Sequence, residues 1–157
     1  MTRSLRTFSQ SLPMALLRAR EVVMERFRPH LRRHGVTEQQ WRVLRALSSV
    51  ERITAGALAE LTVLSAPSLS RILRDLLGRK LIVRKGSRTD LRTSWVSLSS
   101  AGWALLDQAA PESEAAYLAI EKMVGRARLA TLYRILEDLP GRLGAEPPGP
   151  RYIARRR

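Results

Sequence analysis

Arg71 and Arg74 lie one helical turn apart in the stretch SAPSLSRILRDLL, flanked by the small hydroxyls of Ser68 and Ser70. A guanidinium donates in a planar fork that matches a guanine edge or a phosphate, and a serine hydroxyl can bond to either. Further on, KGSRTDLRTSW supplies Lys85, Arg88 and Arg92, with Asp90 as its one acid and no apolar run. Asp90 can orient Arg92, and a guanidinium held in place loses less entropy when it binds. The chemistry on offer is recognition of a polyanion. Bond-making chemistry has no comparable set. Cysteine is absent, which removes thiolate catalysis, disulfides and Cys-based zinc sites. No GxGxxG or GxxxxGK[ST] string occurs, and no Ser/His/Asp arrangement has motif context. His30 and His34 have a spacing that can hold a metal on one helix face, but two ligands are too few for a closed zinc site. They read as structural or surface histidines, so no catalytic residue, metal site or cofactor is expected.

The charge agrees. The chain carries 28 Lys+Arg against 14 Asp+Glu, a net +14 over 157 residues. Segments 1–36 and 37–100 each hold +6 and segment 141–157 holds +4, whereas 101–140 is at −2. Such an excess points to DNA, RNA or an anionic membrane; a basic surface kept for solubility is the plainer alternative. Asp107, Glu112 and Glu114 make one acidic helix face, either solvated or turned to a basic partner. Apolar residues make up 45%, enough for a core. No run reaches the ~18 apolar residues of a membrane span. No secretory signal is legible, so the expected location is the cytoplasm.

These cations need elements to position them. Apolar residues recur every three or four positions from Ser9 to Arg33, predicting a helix that Pro29 kinks and Gly35 ends. TEQQ has capping-box spacing, Thr37 to Gln40, and opens a second helix reaching about Ser48. A third, short helix follows Thr54 to about Leu61, with Leu58 and Leu61 inward. Ser65 caps a fourth, with Pro67 in its first turn. Leu69, Ile72, Leu73, Leu76 and Leu77 form its buried stripe, which turns Arg71 and Arg74 outward with Ser68 and Ser70 on the flanks. Leu81–Lys85 and Ser94–Leu98 read as a β-hairpin. A long helix from Ser99 to about Val124, bent at Pro111, precedes a last one from Arg126 to about Leu139.

The order is helix, helix, helix, hairpin: a mainly α fold with a small β wing, a winged helix-turn-helix. The fourth helix suits a major groove and the wing an adjacent minor groove. The division expected is a flexible arm at 1–8, a DNA-binding region at 37–98, helical dimerisation segments at 9–36 and 99–140, and a basic disordered tail at 141–157. Ser65, Pro67, Ser68, Ser70, Arg71 and Arg74 would face the major groove. Arg84 and Lys85 would bind phosphate. Arg88 and Arg92, with Asp90, would serve the minor groove or its phosphates. Two rivals stand beside this reading: a nucleic-acid-binding or nucleoid-type protein without sequence preference, and a membrane-surface protein using a basic amphipathic helix.

Several motifs resemble the MarR family of bacterial transcription regulators. They are Leu58-Ala59, Ser65–Arg71, Leu81-Ile82, Asp90–Arg92, Val96–Leu98 and Gly102. Two positions depart from the family pattern: Leu91 replaces the first of a frequent arginine pair, and Lys80 stands where a glycine usually precedes Leu-Ile. Upstream, Ala19-Arg20-Glu21, Phe27-Arg28-Pro29 and Thr37–Arg42 are similar to the branch that controls homoprotocatechuate degradation. The resemblance implies a homodimer on double-stranded DNA, recognition helices ~34 Å apart over a pseudo-palindromic operator, and repression relieved by a small phenolic or aromatic-acid effector. An aromatic carboxylate needs a cation and an apolar wall, and Arg18, Arg20, Trp41 and Arg42 are the candidates on the matched segment. On helical position Trp41 fits better as the staple partner of Val36 and a core residue, and Arg20 also fits as an ion-pairing residue.

Overall fold

The computed structural model describes residues 7–86 and 94–145 and the backbone of 152–154. Arg88, Asp90 and Arg92 lie outside the described residues.

Among the described residues, six α-helices and four strands follow one another. After a 3-10 turn at Phe8–Gln10 comes α1, Leu12–Arg33. Pro13 enters its first turn, where a missing N–H costs nothing, and the helix continues unbroken through Pro29 to its end before Gly35. The second helix, α2, spans Glu38–Ser48. Its capping box is complete: Gln40 N donates to Thr37 Oγ1 at 3.2 Å and Thr37 N to Gln40 Oε1 at 2.9 Å. Helices α3 (Ala55–Thr62) and α4 (Ala66–Gly78) are capped by Thr54 and Ser65. The hairpin is β2 (Ile82–Gly86) paired antiparallel with β3 (Ser94–Leu98), Ile82 opposite Leu98 and Gly86 opposite Ser94. Helix α5 covers Ser100–Val124, unbroken through Pro111, and α6 covers Arg126–Arg142.

Three expectations are corrected. Val50–Thr54, which the sequence left between two helices, is strand β1, pairing antiparallel with β3 through Ile53↔Val96 and Thr54↔Trp95. With two arginine- or glutamate-bearing positions in five residues it shows no alternation, and only the neighbouring strand makes it one. Leu61 is exposed; Thr62 is buried in its place and donates its hydroxyl to the Leu58 carbonyl at 2.6 Å. The tail at 141–157 is not disordered throughout: α6 runs to Arg142, and Tyr152–Ala154 form β4 on the outer edge of β1. The sheet order is β2-β3-β1-β4.

One core holds these elements together. Leu31 of α1 and Val43, Leu44 and Leu47 of α2 meet Ile53, Leu58, Leu69, Leu76 and Val96, all 2% exposed or less. Each such side chain contributes about 2 kcal/mol of transfer free energy. The predicted α4 stripe is there: Leu69, Ile72, Leu73 and Leu76 are buried and Leu77 packs against the core partly exposed. Helix α6 differs, because none of its residues is buried in the single chain.

Candidate nucleic-acid interface and ligand cavity

The α4 stripe decides where its cations point. With Leu69, Ile72, Leu73 and Leu76 inward, Arg71, Arg74 and Ser70 are exposed on the far side and Ser68 is half-buried. Ser65 Oγ accepts from Ser68 N and donates to Ser68 Oγ at 2.9 Å, and Pro67 sits beside it in the first turn. Neither Arg71 nor Arg74 forms an ion pair among the described residues. The one acid of the helix, Asp75, is drawn back towards α2: Gln40 Nε2 donates to it at 2.7 Å, and Arg79 lies 3.7 Å away. Across the hairpin, Arg84 Nε donates to Ser94 Oγ at 2.8 Å, and Lys85 is exposed. Ser70 and Arg74 of α4, Arg84 of β2 and Ala55 of α3 line a common depression. The structure thus unites Ser70, Arg74 and Arg84 on one cationic face. Next to this face in the sheet, the Arg52 guanidinium of β1 lies 4.9 Å from the Trp95 ring centre of β3.

Between α1, α2 and α5 lies a cavity of about 490 Å³. Arg20, Trp41 and Arg42, three of the four expected effector contacts, line it together. Arg18 does not; it stacks over Phe8 at 5.6 Å. Met24, Glu38, Arg45, Val63 and Tyr117 complete the wall. Arg45 was legible, since it follows Trp41 by four residues and so shares its helix face. Tyr117 was not: it comes from α5, far along the chain, and reaches the site by packing edge-on against Phe27 at 4.9 Å.

The wall is held by ion pairs. Arg20 Nη2 donates to Glu38 Oε2 and Nη1 to Glu21 Oε1, each at 2.8 Å. Arg28 binds both carboxylates from outside the cavity. Burial alone would raise the Glu38 pKa, but hydrogen bonds from Arg28 and Arg20 hold it below the ordinary glutamate value. Arg42 Nη1 donates to the Thr62 carbonyl at 3.1 Å, satisfying the C-terminal end of α3. Burial raises the Tyr117 pKa, and Tyr133 and Glu114 add to this against Arg45, so its hydroxyl stays neutral. Cations, a neutral phenol and an indole wall suit a small anion with an aromatic ring.

His30 and His34 part company. His30 is buried with its Nε2 unpartnered, while His34 Nε2 lies 3.1 Å from Glu112. Among the described residues no group of three His, Cys, Asp or Glu is placed to hold a metal, and no helix is long and apolar enough to cross a membrane.

The model of the MarR family matches residues 34–93. Over 128 residues the chain is 37% identical to the homoprotocatechuate degradative operon repressor of Escherichia coli, covering 82% of this chain and 86% of that one. The chain belongs to the MarR family. A second relative, the HTH-type transcriptional regulator FarR of Neisseria gonorrhoeae, is 34% identical over 129 residues, 82% of this chain and 88% of FarR. Among solved structures, transcriptional regulator PA4135 superposes with a TM-score of 0.81 at 34% identity, covering 83% of this chain and 96% of that one. NadR in complex with 4-hydroxyphenylacetate superposes with a TM-score of 0.75 at 32% identity, covering 86% and 96%. This MarR-family chain is therefore a winged-helix transcriptional regulator, and its named relatives are regulators of transcription too.

Proposed function

We propose that the protein is a dimeric, cytoplasmic repressor. It binds a pseudo-palindromic operator and lets go when a small phenolic or aromatic acid enters the cavity, which would suit control of aromatic-acid catabolism. The observation that carries this is the cavity itself: three arginines, Trp41 and Tyr117 stand where α1 and α5 meet the DNA-binding region. A relative named for homoprotocatechuate degradation and one solved with 4-hydroxyphenylacetate support the same ligand class. On the DNA side, Ser65, Pro67, Ser68, Ser70, Arg71 and Arg74 would meet the major groove, and Arg84 and Lys85 the phosphates. Arg88 and Arg92, with Asp90, would extend these contacts from the wing.

The test is fluorescence anisotropy on an operator selected from a random duplex pool. Arg71→Ala should weaken binding by about 1–3 kcal/mol. Affinity should fall steeply as salt rises, because phosphate contacts release counterions. Adding 4-hydroxyphenylacetate should lower operator affinity. Equal affinity for selected and random duplex would favour the nucleoid-type reading instead, since a regulator prefers its site by ~10³ or more.

A further inference from the structure

The cavity contains its own anion. Glu38 lines it beside Arg20, and the two are joined at 2.8 Å. They belong to different parts of the fold: Arg20 to the middle of α1, Glu38 to the first position of α2, directly after the Thr37 cap. Resting on the proposed binding of an aromatic acid, we infer that Glu38 is a built-in competitor for Arg20: the ligand's carboxylate takes Arg20 from Glu38 and so removes one of the two ties, Arg20 and Arg28, by which α1 holds the start of α2.

The surroundings make this exchange feasible. Burying a carboxylate without a partner is costly, so a switch that orphaned Glu38 would not turn. Glu38 has a second partner outside the cavity, Arg28, which also holds Glu21. Arg20 likewise keeps Glu21. Releasing the Arg20–Glu38 contact therefore leaves neither carboxylate without a cation. The exchange swaps one carboxylate on Arg20 for another, a near-balanced step that a ligand of modest affinity can drive. A second carboxylate in a space of about 490 Å³ also repels Glu38 directly. The contact it breaks lies close to the reading helix: Gln40, two residues after Glu38, donates to Asp75 of α4 at 2.7 Å.

The test is Glu38→Gln in the full chain, with 4-hydroxyphenylacetate and its neutral analogue 4-hydroxyphenylacetamide as calorimetric probes. Removing the competing charge should tighten binding of the acid by about threefold or more, the range of a partly exposed ion pair, and leave the amide unchanged. Because coupling is reciprocal, the ligand-free variant should hold the selected operator less tightly, and the acid should release it by a smaller factor. Glu38→Asp, which keeps the charge but shortens its reach, should shift the acid in the same direction by less; it replaces the first variant if that one melts early. Acid binding that is unchanged or weaker overturns the inference, as does an equal gain for acid and amide, which would mean only a roomier cavity. If the wild type binds the acid and the variants behave so, this inference alone falls. If the wild type binds no acid, the effector reading falls and takes the inference with it.

Discussion

Lys80 has φ +58, in the left-handed region, directly after α4. Lys80 N donates to Leu77 O and Leu81 N to Leu76 O, so the turn closes the helix and aims the chain into β2. An L-residue there costs roughly 1–2 kcal/mol, of which glycine would return part after its own loss of entropy. Lys80 is one of the two positions at which the sequence departs from the family's motif pattern, and it holds a left-handed backbone without being a glycine. Lys80→Gly should raise stability by about 0.5–1 kcal/mol in urea unfolding. His30 makes a second residue-scale prediction. Burial, then the nearby charges of Arg33 and His34, lower its pKa. The folded chain thus binds a proton less readily than the unfolded one. Stability is full above the ordinary histidine pKa and is lost as pH falls from there towards the lowered folded value. His30→Phe keeps a ring between Phe27 and Trp41, removes the unpartnered Nε2, and should flatten that pH slope.

Helix α5 begins where it does because of one hydroxyl. Ser99 Oγ accepts from Gly102 N at 3.0 Å and donates to Lys80 O at 2.6 Å, fixing the helix start to the turn that follows α4. A Cβ on Gly102 would sit 2.1 Å from the Leu81 carbonyl oxygen, so no side chain fits unless backbone moves. Gly102→Ala should cost about 1–3 kcal/mol, the range of overpacked sites, read as a lower urea midpoint. The glycine itself was visible in the sequence. The reason for it was not, since Leu81 and Gly102 are brought together only by the hairpin between them.

For the whole molecule, the informative surface is apolar. Leu132, Ile135 and Leu136 of α6 and Leu118 and Met123 of α5 are all more than a third exposed in the single chain. Soluble proteins rarely leave so broad a patch uncovered. A groove of about 490 Å³ between α1, α5 and α6, with Val23, Tyr133 and Leu136 in its wall, continues the patch. Burial against a second copy across a two-fold axis is the economical cover. Sedimentation should find a dimer of the 17.7 kDa chain, and Ile135→Glu should shift it to the monomer and lose operator binding together. A variant that stays dimeric would move the interface elsewhere.

Local chemistry was enough to determine much of this protein from its sequence. The Thr37 and Ser65 caps, the leucine stripe of α4 and the outward arginines all follow from contacts within a few residues, which spacing reports directly. Tertiary structure decided what depends on distant partners. Strand β1 exists because β3 lies beside it. Tyr117 reaches the cavity because α5 packs on α1, and Glu38 meets Arg20 because α1 folds back across α2. Pairings between residues far apart in the chain leave no periodic trace, since nothing in a local pattern records which other element will occupy its neighbouring space.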